Sequence, residues 1–254
     1  MFGLDPASYD AGRPGHPDRV YEVLVERCEL VPGSRVLEVG PGTGQVTFRL
    51  LALGAEVVAV EPDPELAAFL RERSSPQVEL VRDSLEDAEL PSEAFDHAVA
   101  ASSFHWVDEE VGLAHLYATL RPNGWIALWW TLFGVPDEPD AFITATSPLL
   151  DDLHASPSAG VDGAPPFALD VDARRRALDR AGFRDVRHET FRWSAAWDTA
   201  GIRALYGSFS PIARLHDERR TRILDAVAAV AEQEFGGHVT RTLVTSLYTA
   251  RKPS

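Results

Sequence analysis

The stretch Val36-Leu37-Glu38-Val39-Gly40-Pro41-Gly42-Thr43-Gly44, with Glu61 just past the next apolar run Val57-Val58-Ala59-Val60, decides how this chain is read. Each short apolar run suits a strand buried on both faces of a parallel sheet. Three glycines at alternate positions after the first run let the backbone approach a nucleoside-sized ligand that side chains would hold off. Their spacing is G-x-G-x-G, followed by Gln45, whereas a dinucleotide fingerprint places its third glycine one position later, G-x-G-x-x-G. The loop therefore departs from the NAD pattern.

Strands and helices alternate on either side of this loop. Tyr9 to Pro17 reads as irregular, and Asp18 to Glu29 as an amphipathic helix capped by Asp18. Pro32-Gly33-Ser34 turns the chain into the first strand. A helix follows from Gln45 to Leu53, ended by Gly54, then the Val57 to Val60 strand, and a helix from Pro64 to Arg73 with proline in its first turn. Strands at Val78 to Val81 and Phe95 to Ala101 come next. A helix from Glu109 to Leu120 stops at Pro122-Asn123-Gly124, before the aromatic strand Trp125 to Leu132. This alternation specifies a parallel sheet with covering helices. Phe133 to Ala168 is rich in proline, glycine and aspartate and reads as a long loop with one short helix around Asp140 to Leu153. A helix at Val171 to Ala181, a strand at Val186 to Trp193 and a last strand at Arg241 to Ala250 restore regularity. Between those strands, Leu224, Val227, Val230 and Ala231 stripe an added helical layer.

A chain of 254 residues suits one large α/β domain, or one carrying a substantial insertion. The net charge of −15 opposes a phosphate backbone, which argues against nucleic acid as partner and leaves small neutral or cationic molecules easier to accept. No apolar stretch approaches a membrane span, and the first residues lack the basic and apolar regions of a secretory signal, so the expected location is cytoplasmic with no membrane partner. Cys28 is the single cysteine, which excludes an intramolecular disulfide and a thiolate zinc cluster; it reads as a small buried helix residue. The scattered histidines lack zinc spacing, no acid and amide cluster stands out for magnesium, and no metal is expected.

The loop and its neighbours resemble the class I S-adenosylmethionine-dependent methyltransferases, in particular the type 11, trans-aconitate methyltransferase-like small-molecule branch. The resemblance is close from Tyr9 to Leu132 and loose beyond. It implies an α/β fold with a Rossmann-like, seven-stranded, mostly parallel sheet, the last strand antiparallel, helices on both faces and a helical cap inserted late in the chain. The domain reading is then an N-terminal lid with its leading helix at 1–33, a core at 34–193 and 238–254, and a cap at 194–237. The implied cofactor is S-adenosyl-L-methionine. The family's E/D-x-G-x-G-x-G loop is present as Glu38, Gly40, Gly42 and Gly44. Glu38 would accept from the cofactor's ammonium group, and the glycines would clear room for its adenosyl portion. Glu61 would take both ribose hydroxyls, with Pro62 bordering the adenine; Asp63 reads equally as a helix N-terminal acid. Asp83 and Ser84, after the third strand, would meet the adenine amino group, although Arg82 stands where the family has glycine.

Ala101-Ser102-Ser103-Phe104-His105-Trp106 resembles the family's fourth motif. It would set Ser102 and Ser103 beside the methionine portion and His105 and Trp106 at the mouth of the methyl-transfer site. His105 reads three ways: a general base toward a hydroxyl or amine, an orienting group for a carboxylate, or a purely structural residue tied to its loop. Tyr9, Arg13, Trp106 and Phe133 are the candidate substrate residues, Arg13 as a bidentate partner for a carboxylate or as a residue paired with a surface acid. The expected activity is methyl transfer to a small molecule, at a hydroxyl or carboxylate oxygen before nitrogen or carbon, by a monomer or homodimer. The rival readings are an NAD-dependent oxidoreductase and a non-catalytic or non-methylating protein that binds S-adenosylmethionine.

Overall fold

The computed structural model describes residues 6–74, 78–135, 138–153 and 165–254. In chain order its helices are α1 (Pro6–Gly12), α2 (Asp18–Glu26), α3 (Gln45–Ala52), α4 (Pro64–Arg73), α5 (Glu109–Thr119), α6 (Ala141–Thr146), α7 (Val171–Arg180), α8 (Thr199–Gly207), α9 (Ser210–Ala213) and α10 (Asp217–Phe235). The strands are β1 (Arg35–Val39), β2 (Glu56–Val60), β3 (Val78–Val81), β4 (Phe95–Ala101), β5 (Leu120–Leu132), β6 (Arg184–Asp198) and β7 (His238–Arg251).

The strands form one sheet in the order β3-β2-β1-β4-β5-β7-β6. Strands β1 to β5 pair in parallel, with Leu37 opposite Val58 on one side and Ala98 on the other. β7 runs antiparallel to β5: the Asn123 amide donates to the Lys252 carbonyl at 3.0 Å and the Lys252 amide to the Gly124 carbonyl at 2.8 Å. Successive strands step outward in one direction from β1 to β3 and in the other from β4 to β5. That reversal leaves the carboxyl ends of β1 and β4 beside the crevice where open α/β sheets take their ligands.

The chain divides into two compact units. The first holds the described residues within Met1–Gly15, Leu132–Ser156 and Arg192–Val244, and the second those within His16–Thr131, Pro157–Phe191 and Thr245–Ser254. The second unit's core joins Val20, Leu24, Val36, Leu50, Val99 and Trp129. The first has its own core around Phe142, Ile202, Leu205, Val227, Ala231 and Leu243. The helices expected at 194–237 thus fall in the first unit, but together with α1 and α6. Helix α2, expected in an N-terminal lid, belongs to the second unit because Val20, Tyr21, Val23 and Leu24 are buried there.

Four local expectations are corrected. Residues 9–12 are helical rather than irregular: Gly12 has no side chain, and a Cβ there would stand 2.4 Å from the backbone of Ala204 and Leu205, so α1 lies directly against α8. The Trp197 indole donates to the Gly12 carbonyl at 3.0 Å and closes that contact. Asp18 does not cap α2. Pro17 holds the cap position without a side-chain bond, Asp18 pairs with Arg49 at 2.5 Å, and the helix ends at Glu26, short of Glu29 with its φ of 60°. Pro122-Asn123-Gly124 is no break between helix and strand, because β5 begins at Leu120 and the end of β7 satisfies the backbone there. The short helix expected at Asp140 to Leu153 ends as α6 at Thr146, followed by the 3₁₀ turn Ser147–Leu149. Part of the expected loop from Phe133 to Ala168 lies outside the described residues.

Cys28 is buried, which pushes its thiol up to about 12 and leaves it protonated and unreactive at neutral pH. No helix among the described residues is long and apolar enough to cross a membrane. Lys252, the only lysine, is nearly buried; its Nζ donates to the Leu120 carbonyl at 2.7 Å and lies 4.9 Å from the Tyr117 ring centroid. It ties the end of β7 to the start of β5. Lys252→Met is expected to lower the unfolding free energy in urea by about 1.5–3 kcal/mol, the range for hydrogen bonds to charged groups. An unchanged unfolding midpoint would show that this contact contributes nothing to stability.

Candidate functional site

The three glycines of the loop between β1 and α3 all have positive φ, at 65°, 57° and 91° for Gly40, Gly42 and Gly44. They do different work. A Cβ on Gly40 would stand 2.6 Å from the Cβ of Ser103, and one on Gly44 would stand 2.6 Å from Leu70 Cδ1 and 2.9 Å from Phe48 Cε2. Those two positions are glycine because the loop is packed against the rest of the second unit. A Cβ on Gly42 would meet no protein atom within 4 Å, so this backbone faces open space. Of the three, Gly42 is the one without a close packing neighbour in the protein.

Two buried carboxylates flank the loop. Glu38, on β1, accepts from the Thr47 hydroxyl at 2.6 Å. Burial pushes its carboxyl up to about 7, with a smaller push from the negative charge of Glu61 and an opposing pull from Thr47. Glu61, at the end of β2, accepts the Gly42 amide on Oε2 and the Asp63 amide on Oε1, both at 3.0 Å. Burial raises its carboxyl too, against the two amides that favour the charge. Each oxygen of Glu61 retains a second lone pair, so a polyol edge can bind without displacing the loop. Asp63 is the N-cap of α4, accepting from the Glu65 and Leu66 amides; of its two readings, the helix N-terminal acid is the one the structure displays. Pro62 is exposed beside Glu61.

The Glu61 amide donates to Val81 at 3.0 Å, so the end of β3 and the residues after it follow the same sheet edge. There Asp83 is exposed and accepts the Ser84 amide, while the Ser84 hydroxyl donates to Asp87 and accepts the Asp87 amide. Both residues close a turn of their own. On the other side of β1, the Ser103 hydroxyl donates to the Val39 carbonyl at 2.5 Å, and Ser102 adopts φ 54° with its amide bonded to the Trp129 carbonyl. The structure thus gathers Glu38, Gly40, Gly42, Gly44, Glu61 and Ser103 around one loop and places Pro62, Asp83, Ser84 and Ser102 along the same edge.

Phe104–Trp106 is a single 3₁₀ turn after β4, with Phe104 buried and Trp106 exposed. Ala101 stands opposite Trp129 in the β4–β5 register, which brings the next residue, Trp130, beside this turn. The Trp130 indole N–H donates to His105 Nδ1 at 3.1 Å. Phe167 lies edge-on to Trp130 at 5.2 Å and is tilted to His105 at 6.4 Å. The guanidinium of Arg174 lies 3.6 Å from the Phe167 ring centroid and pairs with Glu109 at 2.8 Å. The sequence placed Trp130 only within the aromatic strand Trp125 to Leu132 and gave no signal for Phe167 and Arg174, which come from another part of the chain.

Tyr9, Arg13 and Phe133 come together in the first unit. Arg13 donates through Nε to the Ser208 hydroxyl at 2.7 Å, and its guanidinium lies 5.0–5.2 Å from the ring centroids of Tyr9, Phe133 and Phe209. Arg13 is therefore held by a serine and three aromatic rings. Phe133 and Phe209 also line a pocket of about 290 Å³ in this unit, with Ile143, Leu150, Tyr206 and Arg241. Arg241 is buried and paired with Asp140 at 2.9 Å, while Asp151 adds a carboxyl group to the same lining. Trp106, the fourth expected substrate residue, belongs to the second unit.

Residues 37–128 match the methyltransferase domain family Methyltransf_11. An uncharacterised methyltransferase-like protein of Schizosaccharomyces pombe is 29% identical over 231 residues, covering 89% of this chain and 85% of its own length. An uncharacterised methyltransferase of Mycobacterium tuberculosis is 34% identical over 129 residues, about half of each chain (51% and 51%). Among solved structures, the Haemonchus contortus phosphoethanolamine N-methyltransferase 2 bound to S-adenosyl-L-methionine superposes with a TM-score of 0.61 at 14% identity. That alignment covers 98% of this chain and 58% of that one, and shows the shared fold.

The raised carboxyl of Glu38 makes stability depend on pH. The folded chain keeps this proton up to about pH 7, where an ordinary glutamate loses it near 4.5. Between those values the folded chain binds more protons than the unfolded one, so stability falls as pH rises through that window. Melting curves of the cofactor-free protein and of Glu38→Gln, recorded from about pH 5 to about pH 8, are expected to diverge, the variant losing less stability toward high pH. Parallel curves would show that Glu38 does not titrate there.

Proposed function

We propose that this chain, a class I S-adenosylmethionine-dependent methyltransferase, moves a methyl group to an oxygen of a small-molecule acceptor. The observation that carries the cofactor side of this reading is the pairing of Gly42 with Glu61. A backbone with open space before it is held by a carboxylate whose remaining lone pairs suit the two hydroxyls of a ribose. S-adenosylmethionine, held by Glu38, Gly42 and Glu61, would supply a methyl group made electrophilic by its sulfonium, whose sulfur would leave as a neutral thioether.

The protein's own share is positioning. Glu38 accepts hydrogen bonds from the Thr47 side and holds a carboxylate or carboxyl at the loop for the ammonium group. Gly40 and Gly44 keep the loop tight against Ser103, Leu70 and Phe48, so that the Gly42 backbone stays where Glu61 fixes it. Alignment of nucleophile and electrophile accounts for much of the rate enhancement available to such a displacement. Pro62, Asp83, Ser84 and Ser102 border this arrangement as cofactor contacts, and His105 and Trp106 as acceptor-side residues. A small acceptor agrees with the net charge of −15, which disfavours a polyanionic substrate. Tyr9, Arg13 and Phe133 are the candidate recognition residues. The G-x-G-x-G spacing and the family match favour this reading over an NAD-dependent oxidoreductase.

Calorimetric titration with S-adenosylmethionine tests the cofactor assignment. Glu61→Gln keeps the shape of the side chain but loses the charge, and is expected to weaken binding about 10- to 100-fold, as for loss of charge-assisted hydrogen bonds. Unchanged affinity would remove Glu61 from the ribose site. An acceptor screen read by mass, for products heavier by one methylene, tests the transfer itself; a product carrying the methyl on nitrogen or carbon would contradict the oxygen assignment.

A further inference from the structure

The pocket of about 290 Å³ in the first unit is walled largely by groups that the protein itself satisfies. The Thr146 hydroxyl donates to the Phe142 carbonyl at 2.7 Å, so at its 2.9 Å contact with Tyr206 it accepts, and the Tyr206 hydroxyl spends its proton there. The Ser147 hydroxyl donates to the Thr144 carbonyl at 3.2 Å. The hydroxyl protons of the lining are thus in use, and what these groups leave over are oxygen lone pairs. Arg241 donates through Nε to Asp140 at 2.9 Å and through Nη2 to the Phe133 carbonyl at 2.6 Å.

Asp151 stands apart from this pattern. It is exposed, and among the described residues its side chain has neither an ion pair nor a hydrogen bond. An aspartate carries its carboxylate one methylene from the backbone, so a place in the lining puts that charge at the pocket. With Arg241 balanced by Asp140, the carboxylate of Asp151 is the charge left over.

The remaining wall is apolar, formed by Phe133, Ile143, Leu150 and Phe209. Phe133 and Phe209 meet edge-on at 5.5 Å, and Tyr206 is tilted against Phe209 at 5.2 Å. Buried Phe142 backs Tyr206 edge-on at 5.8 Å. Asp140, which pairs with Arg241 on β7, also caps α6 by accepting the Ile143 amide, so helix and strand are tied at one carboxylate. A wall fixed in this way loses little freedom when a ligand arrives. Its volume is about twice the ~150 Å³ of a cavity that holds benzene, which leaves room for one ring and a short chain.

We propose that this pocket binds a small amine, its apolar body seated against Phe133, Ile143, Leu150 and Phe209 and its ammonium group paired with Asp151. A neutral molecule of the same shape would leave the Asp151 charge unanswered, and a carboxylate would face it with like charge. An ammonium answers that charge and can donate to the lone pairs of the wall. The inference stands on the first unit alone and goes beyond the methyl-transfer reading, which it neither needs nor tests.

Chemical-shift titrations of the cofactor-free full chain with phenethylamine, phenethyl alcohol and hydrocinnamate test it, because the three share a ring and differ in the charge of the tail. The amine is expected to bind about two- to fivefold more tightly than the alcohol, the size of a partly exposed ion pair, and to shift the resonances of Ile143, Leu150 and Phe209. Hydrocinnamate is expected to bind most weakly. Asp151 is exposed, so Asp151→Asn is expected to fold and to hold the alcohol within about twofold of wild type while the advantage of the amine disappears. Salt at about 1 M, which screens exposed charges beyond about 3 Å, is expected to shrink the same advantage. An alcohol that binds as well as the amine, a carboxylate that binds better, or an advantage that survives in Asp151→Asn would overturn the proposal. Shifts confined to other parts of the chain, or no binding of any of the three, would do the same. Each of these results is obtained without cofactor and leaves the methyl-transfer reading untouched.

Discussion

The carboxylate of Glu61 holds the candidate site together. Its two oxygens accept the amides of Gly42 and Asp63, so the loop after β1 and the turn after β2 are tied at one buried point. Two adjacent parallel strands bring those turns to one edge, but adjacency alone leaves a glycine loop with positive φ at three positions free to move. The Glu61 bonds remove that freedom at Gly42, the one glycine of this loop whose missing side chain opens onto empty space. Ser103 completes the frame from the other side, bonding to Val39 and filling the space against Gly40.

This arrangement brings two acids into a poorly solvated place, and burial raises the carboxyls of both Glu38 and Glu61. Buried acids kept without a full salt bridge are a burden on the fold. Their placement is reasonable for a site that receives a cation and a polyol: an ammonium group beside Glu38 and hydroxyls on Glu61 would each compensate charge that the protein leaves only partly satisfied. A ligand that binds only the folded chain would stabilise it, so binding at this loop would raise stability.

The sequence displayed the parallel core because its signals there are local. Apolar runs at Val36 to Val39, Val57 to Val60 and Phe95 to Ala101, broken by glycine and proline, needed no tertiary information, and the glycine spacing with Glu38 and Glu61 located the loop. The misreadings arose where distant partners decide. Pro122-Asn123-Gly124 looked like a stop until the end of β7 supplied its hydrogen bonds, and α1 depended on Gly12 meeting the backbone of α8. The roles of the three glycines could not be separated from their spacing, because Leu70, Phe48 and Ser103 come from other elements. His105 was visible as a candidate, but its bond from the Trp130 indole, 25 positions away, was not, because the register of β4 with β5 brings the two together.

The most direct test of the Glu61 and Gly42 cradle is a crystal structure of the chain with S-adenosylhomocysteine. The account predicts the ribose hydroxyls on the carboxylate of Glu61, with the ligand lying over the Gly42 backbone and the Gly42 and Asp63 amides still bonded to that carboxylate. A nucleoside bound elsewhere, or a ribose held by other residues while Glu61 keeps only its two amides, would contradict it.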